Sequence, residues 1–144
     1  MDEDPALRSR TMRAVRSRDT GPELKVRQLV HRLGYRFRLH RRDLPGCPDL
    51  VFASRRRIIF VHGCFWHGHG CRRGARVPKT NRPYWVRKIA RNVARDDVNL
   101  KRLKGDGWKV LVIWECKTRD TGRLVKRIGR FLGMRGRDGK SARP

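Results

Sequence analysis

Four side chains, Cys64, His69, Cys71 and Cys116, carry the donor atoms of a closed zinc site. The first three form a Cys-x4-His-x-Cys cluster, and Cys116 ends a strand candidate that can bring a fourth ligand back in space. Three thiolates and one imidazole saturate tetrahedral Zn²⁺, so such an ion would be structural, standing in for a core that the surrounding loop lacks. The alternative for Cys116 is a buried apolar cysteine at a strand end. With His69 taken as a ligand, His62 and His67 remain as two free imidazoles, groups able to move protons near neutrality. Asp49 follows Pro48 at the mouth of another strand candidate, twelve positions before Val61. Its bland reading is a polar strand cap. Cys47 reads as a spare thiol in a turn, and His31 and His40 read as surface residues.

The elements that must position these groups follow from periodicity. Residues 5–16 form a short basic helix candidate with few apolar positions, including Met12. Asp19 or Thr20 caps a firmer helix, with Pro22 in its first turn, Val26, Leu29, Val30 and Leu33 at helical spacing, and Gly34 as its stop. Glu23 is then a first-turn acid, which the helix dipole alone would favour by about 0.3 to 1 kcal/mol. Tyr35, Phe37 and Leu39 alternate with arginines as a half-buried strand. After the Pro45-Gly46-Cys47-Pro48 turn, residues 49–53 and 58–61 are apolar runs joined by a short arginine turn, the pattern of adjacent antiparallel strands. Residues 62–82 are rich in Gly, His, Cys and Pro and read as a loop. A long helix begins near Pro83, with Val86, Ile89, Val93, Leu100 and Leu103 as its buried face. Trp108 to Trp114 is a buried strand, and residues 123–132 a last helix. The fold class is α/β, a mixed sheet flanked by helices. Residues 1–133 make one domain, and residues 134–144 a basic, disordered tail.

Length and charge narrow the partners. A chain of 144 residues is one domain's worth, with one real core. Lys and Arg number 38 against 13 Asp and Glu, a formal charge of +25, and the pI is near 11.7. That excess predicts a polyanion partner, and nucleic acid fits better than a membrane surface because no amphipathic anchor accompanies the charge. The bland explanation is an arginine-rich genome. No stretch approaches the ~20 apolar residues of a membrane span. The acidic start, Met-Asp-Glu-Asp-Pro, is unlike a secretory signal, so the expected location is the cytoplasm, in association with the nucleoid. In that reducing compartment the four cysteines are ligands or free thiols.

The layout of Pro48-Asp49 and Phe60-Val61-His62 resembles the Pro-Asp...Glu-x-Lys pattern of restriction-type nucleases, with Phe60 in place of the acid and His62 in place of the lysine. A longer set of strings is more specific: Met12-Arg13-Ala14-Val15, Arg18-Asp19-Thr20, Leu44-Pro45-Gly46-x-Pro48-Asp49, Val61-His62-Gly63-Cys64-Phe65-Trp66-His67, Asn92-Val93-x-Arg95-Asp96, Gly107-Trp108-x-Val110 and Trp114-Glu115-Cys116. Together they look like the very-short-patch repair, or Vsr, endonuclease family, over residues 8–117. The resemblance implies a restriction-endonuclease-like fold with a structural zinc site, and nicking of one strand of duplex DNA 5′ to the thymine of a T:G mismatch left by deaminated 5-methylcytosine. It implies that Asp49 and the backbone carbonyl of Val61 bind catalytic Mg²⁺, that His67 is the base toward water, that His62 assists at the phosphate and that Glu23 orients a histidine. Phe65, Trp66 and Trp85 would form an aromatic wedge entering the DNA stack, with Met12, on an N-terminal arm, entering from the other groove. A monomer is expected, with other mismatch-repair proteins as further partners. The sequence departs from the family at Val61, where a threonine is usual, at Gly68 and Gly70, which replace histidines, and at Cys47, which replaces an arginine.

Two other readings share the charge and the aromatics: a zinc-stabilised nucleic-acid binding module without catalysis, and a restriction-type nuclease acting on matched DNA. All three require phosphate contacts. Binding to duplex DNA should therefore weaken steeply with salt, with a log-log slope of about −0.9 per phosphate contact. A flat salt dependence, measured by fluorescence anisotropy between low and physiological salt, would contradict the electrostatic account.

Overall fold

A computed structural model describes residues 20–133 apart from Arg73. The expected N-terminal arm with Met12, and the basic tail, lie outside the described residues. The chain order is helix α1 (Gly21–Arg32), strands β1 (Arg38–Leu39), β2 (Leu50–Phe52) and β3 (Arg57–His62), helix α2 (Arg82–Gly105), strand β4 (Lys109–Trp114) and helix α3 (Thr121–Leu132). The four strands lie in the order β1-β2-β3-β4. β1, β2 and β3 pair antiparallel, whereas β3 and β4 pair parallel, with Val61 opposite Ile113 and His62 opposite Trp114. A parallel pair needs a crossover, and the 63–81 loop with α2 provides it.

Alternation along the strands sorts the core into two layers. Leu50, Phe52, Ile59 and Ile113 point to one face and pack with Val26, Leu29 and Val30 of α1 and with Leu124, Ile128 and Leu132 of α3. Val51, Ile58 and Phe60 point to the other face, where Leu103 and Trp108 cover them. The result is a three-layer sandwich, and a sheet covered on both faces explains why β4 reads as a continuous apolar run. No described helix is long and apolar enough to cross a membrane.

Thr20 is the α1 cap, its hydroxyl accepting from the Glu23 N–H at 3.4 Å. Two expectations need correction. The strand read from Tyr35 to Leu39 shrinks to two residues, because β2 offers only a short partner edge. Tyr35 is instead buried beside the end of α3, its hydroxyl donating to the Gly133 carbonyl. The apolar face of α2 is also shorter than expected: Leu100 and Leu103 reach the core, whereas Val86 and Val93 are 47% and 43% exposed. The first half of α2 packs on the 63–81 loop, and its buried position there is polar, Asn92.

The arginine turn between β2 and β3 closes the structure. Arg57 donates to the Phe131 carbonyl at 2.8 Å and Arg55 to the Leu132 carbonyl, while Arg56 donates to the Asp106 carbonyl at 2.6 Å. These are unpaired acceptors at the C-terminal ends of α3 and α2, where cations are favoured. Arg56 and Arg55 also lie over the rings of Trp108 and Tyr35. Arg57→Ala should cost about 1 to 3 kcal/mol of stability, the range for losing a charged donor to a buried-end carbonyl. Val98→Ala, at an exposed α2 position, should stay within about 0.5 kcal/mol. Urea denaturation of both variants checks the contrast.

Candidate active site and metal centre

The end of β3 and the loop that follows carry most of the chemistry. Alternation puts His62 on the same face as Ile58 and Phe60, so its ring looks toward α2 and stacks flat against His67, with ring centres 3.7 Å apart. His67 in turn meets α2: its Nδ1 lies 2.6 Å from an oxygen of Asp96. A carboxylate on Nδ1 fixes the ring tautomer and leaves Nε2 as the free proton acceptor. One turn earlier on α2, the buried Asn92 amide donates to the Trp66 carbonyl at 2.9 Å, pinning the same loop. Burial, and then the neighbouring His67, push the His62 imidazole down to about 4, so it is neutral at pH 7. Its Nδ1 is buried and has no hydrogen-bond partner among the described residues. Such an atom at the wall of a cleft fits an incoming polar ligand.

Asp49, just before β2, lines the same cleft as His62, His67 and Asp96. One of its oxygens accepts from the Val61 N–H at 2.6 Å. The other faces Glu23 of α1 and His40. Burial, reinforced by the charge of Glu23, pushes the Asp49 carboxyl up to about 6, although the Val61 N–H acts in the opposite direction. A cation between a carboxylate that is expensive to ionise and a second acid would relieve both. The sequence reading of His40 as a surface residue is overturned. Its side chain is 9% exposed, and Nε2 lies 2.7 Å from Glu23 and 4.0 Å from Asp49. The backbone explains the inward turn, since His40 adopts a left-handed conformation at the end of β1, and its N–H bonds the Asp49 carbonyl. Glu23 does meet a histidine, but that histidine is His40.

The aromatic residues form a cluster of which Trp66 lines the cleft. Phe65, Trp66 and Trp85 meet edge to face, with ring centres 5.1, 5.5 and 5.7 Å apart. None of the three belongs to either core layer. Cys47 lines the cleft, and Gly46 beside it has a positive φ of 79° and sits against the Phe60 ring, where a side chain would crowd.

Behind the cleft, Cys64, His69, Cys71 and Cys116 bring one ligand atom each within 4.8 Å of one another. Cys116 Sγ and His69 Nδ1 are 3.6 Å apart, matching the edge of about 3.5 Å that metal bonds of about 2.3 and 2.0 Å subtend in a tetrahedron. Backbone N–H groups point at two of the sulfurs, Cys116 N–H at Cys64 and Gly74 N–H at Cys71. The Gly74 N–H brings the Cys71 thiol down to about 6, whereas burial pushes Cys64 up to about 12. Gly74 must be glycine, because a β-carbon there would lie 2.0 Å from the His69 carbonyl oxygen. The four residues fit a tetrahedral metal ion.

Periodicity missed Asp96 as a site residue. The signal was present, since Asn92 and Asp96 are polar at i, i+4 on a helix being read for its apolar face. Glu23, Asp49, His62 and His67 are gathered round one cleft, Cys64, His69, Cys71 and Cys116 form one cluster, and Phe65, Trp66 and Trp85 pack together.

Comparison with known proteins agrees with this geometry. The model of the family described as DNA mismatch endonuclease Vsr matches residues 2–73. A type II nicking enzyme, V.XorIIP of Xanthomonas oryzae pv. oryzae, is 53% identical over 128 residues, covering 89% of this chain and 93% of that protein. The DNA mismatch endonuclease Vsr of Escherichia coli is 44% identical over 122 residues, 85% of this chain and 78% of that one. The type II nicking enzyme V.NmeAIP of Neisseria meningitidis is 37% identical over 125 residues, 87% and 89% of the two chains. The sequence motifs, the mixed sheet and these matches converge: the chain belongs to the Vsr family of DNA mismatch endonucleases.

Proposed function

We propose that this Vsr-type endonuclease nicks one strand of duplex DNA on the 5′ side of the thymine in a T:G mismatch, in a reaction that needs a divalent cation and that Mg²⁺ supports. The observation that carries the reading is the shared cleft, in which a cation-seeking carboxylate, Asp49, opens onto a histidine already held by a carboxylate, His67 with Asp96. Relatives named as a mismatch endonuclease and as nicking enzymes support the substrate and the single-strand outcome.

Asp49 and the Val61 carbonyl would hold the divalent cation, with Glu23 close by. When bound, that ion neutralises phosphate charge and lowers the pKa of a coordinated water. His67 Nε2 takes the proton of the attacking water, and Asp96 stabilises the imidazolium that results. His62, neutral and flat against His67, assists at the phosphate. Phe65, Trp66 and Trp85 enter the stack beside the mismatch, where a wobble pair is cheaper to open than a matched one. Met12 would join them from the N-terminal arm. Cys64, His69, Cys71 and Cys116 would hold Zn²⁺, which would fix the loop that carries Phe65, Trp66 and His67.

Incubation of the protein with a panel of 5′-labelled duplexes tests this. A T:G duplex should be nicked once in Mg²⁺, and the matched control should not. His67→Ala should lose about 10²- to 10⁴-fold and Asp96→Asn about 10- to 100-fold, while Asp49→Asn should be inactive. Equal cutting of matched duplex would replace the mismatch reading with a restriction-type one, and no cutting would leave a binding module. Because a proton on Asp49 competes with the cation, nicking at limiting Mg²⁺ should fall as pH drops through about 6, by about tenfold per unit. The purified protein should contain one zinc by elemental analysis. Cys116→Ala, or strong chelation, should remove the metal and lower the melting temperature; full stability without zinc would refute a structural role.

A further inference from the structure

We propose that His40 is a nitrogen ligand of the catalytic cation, completing with Glu23 and Asp49 a seat that prefers cations accepting imidazole, of the Mn²⁺ or Co²⁺ class, over Mg²⁺. The proposal rests on the nuclease reading above and specifies its metal. Ligand atoms of Glu23, His40 and Asp49 lie within 4.8 Å of one another. They come from three separate elements, α1, the end of β1 and the entry to β2, so their convergence is not local chain geometry.

An ordinary ion pair does not account for the arrangement. Glu23 already has a cationic partner in Arg27, 3.5 Å away one turn along α1. Asp49 has one oxygen engaged by the Val61 N–H, and the other is the one turned toward His40, at 4.0 Å. The imidazole Nε2 thus stands between two carboxylates in a seat whose side chains are only 5%, 9% and 19% exposed for Glu23, His40 and Asp49. His40 holds a left-handed backbone, φ 47°, that a non-glycine residue seldom takes and that aims its ring inward. Mg²⁺ favours an all-oxygen shell with several waters, whereas imidazole beside carboxylates suits later divalent ions. An oxygen-only seat would need no histidine here.

The test uses the zinc-loaded full chain labelled with ¹⁵N-histidine and titrated with Mn²⁺. Electron paramagnetic resonance should show one Mn²⁺ bound per chain, with pulsed spectra revealing a directly coordinated histidine nitrogen, and Mg²⁺ should compete at least about tenfold less well. His40→Gln should abolish the nitrogen coupling and weaken Mn²⁺ by about 10- to 100-fold while leaving Mg²⁺ affinity within about threefold; His62→Ala should keep the coupling. If His40→Gln does not fold, His40→Asn gives the same comparison, since asparagine suits the left-handed backbone. Absence of bound Mn²⁺, bound Mn²⁺ without nitrogen coupling, or coupling that survives loss of His40 would each overturn the proposal. Nicking by the same preparations separates the two readings. Nicking without nitrogen coupling sinks the ligand and keeps the nuclease, whereas nitrogen-coupled Mn²⁺ without nicking under any cation keeps the ligand and sinks the nuclease.

Discussion

Everything functional in this molecule depends on the register of β3 against β4. Pairing His62 with Trp114 places Cys64, two residues beyond the one strand, beside Cys116, two residues beyond the other. The Cys116 N–H then reaches the Cys64 sulfur at 3.4 Å. The same alignment sets the face on which His62 emerges, because side chains alternate and a slip of one residue would turn the imidazole away from α2. One strand pairing therefore orients both the cysteine–histidine cluster and the stacked pair His62–His67. Parallel pairing is the less local kind, and the 24-residue α2 that bridges it also supplies Asn92 and Asp96, the two groups that hold the loop from the other side.

The cleft concentrates negative charge within a strongly basic chain. Glu23 and Asp49 approach each other in a half-enclosed seat, and Asp96 lies across from them beside His67. Such a set is unfavourable in isolation and would be favourable around a cation. Phe60 and Trp66 line the same cleft, and such a low-dielectric wall strengthens electrostatic interactions inside it.

Much of this was legible in the sequence. The helix of residues 21–32 announced itself through Thr20, Pro22 and the spacing of Val26, Leu29 and Val30, and the antiparallel pair β2–β3 through two β-rich runs flanking a turn. The ligand cluster was visible because thiols and imidazoles have few other reasons to crowd together in a loop. What escaped were features decided by three-dimensional neighbours. The inward turn of His40 depends on a positive φ at a strand end, which no composition signals. Exposure of Val86 and Val93 reflects a helix whose first half rests on a loop and not on the sheet, a distinction that apolar periodicity does not carry. Asp96 was overlooked because polar helix positions are ordinarily read as solvated.

The arginine turn of residues 55–57 bears on how the charge of the whole protein should be understood. These guanidinium groups are engaged by the fold itself, donating to carbonyls at the ends of two helices and lying over aromatic rings. They contribute to the isoelectric point while also joining the β2–β3 turn to the helix ends. Net charge therefore counts cations that have a structural task of their own. A lysine-for-arginine exchange in this turn would preserve every unit of charge and still unsettle the architecture, since an ammonium is a point charge without the planar fork that fits ring and carbonyl together.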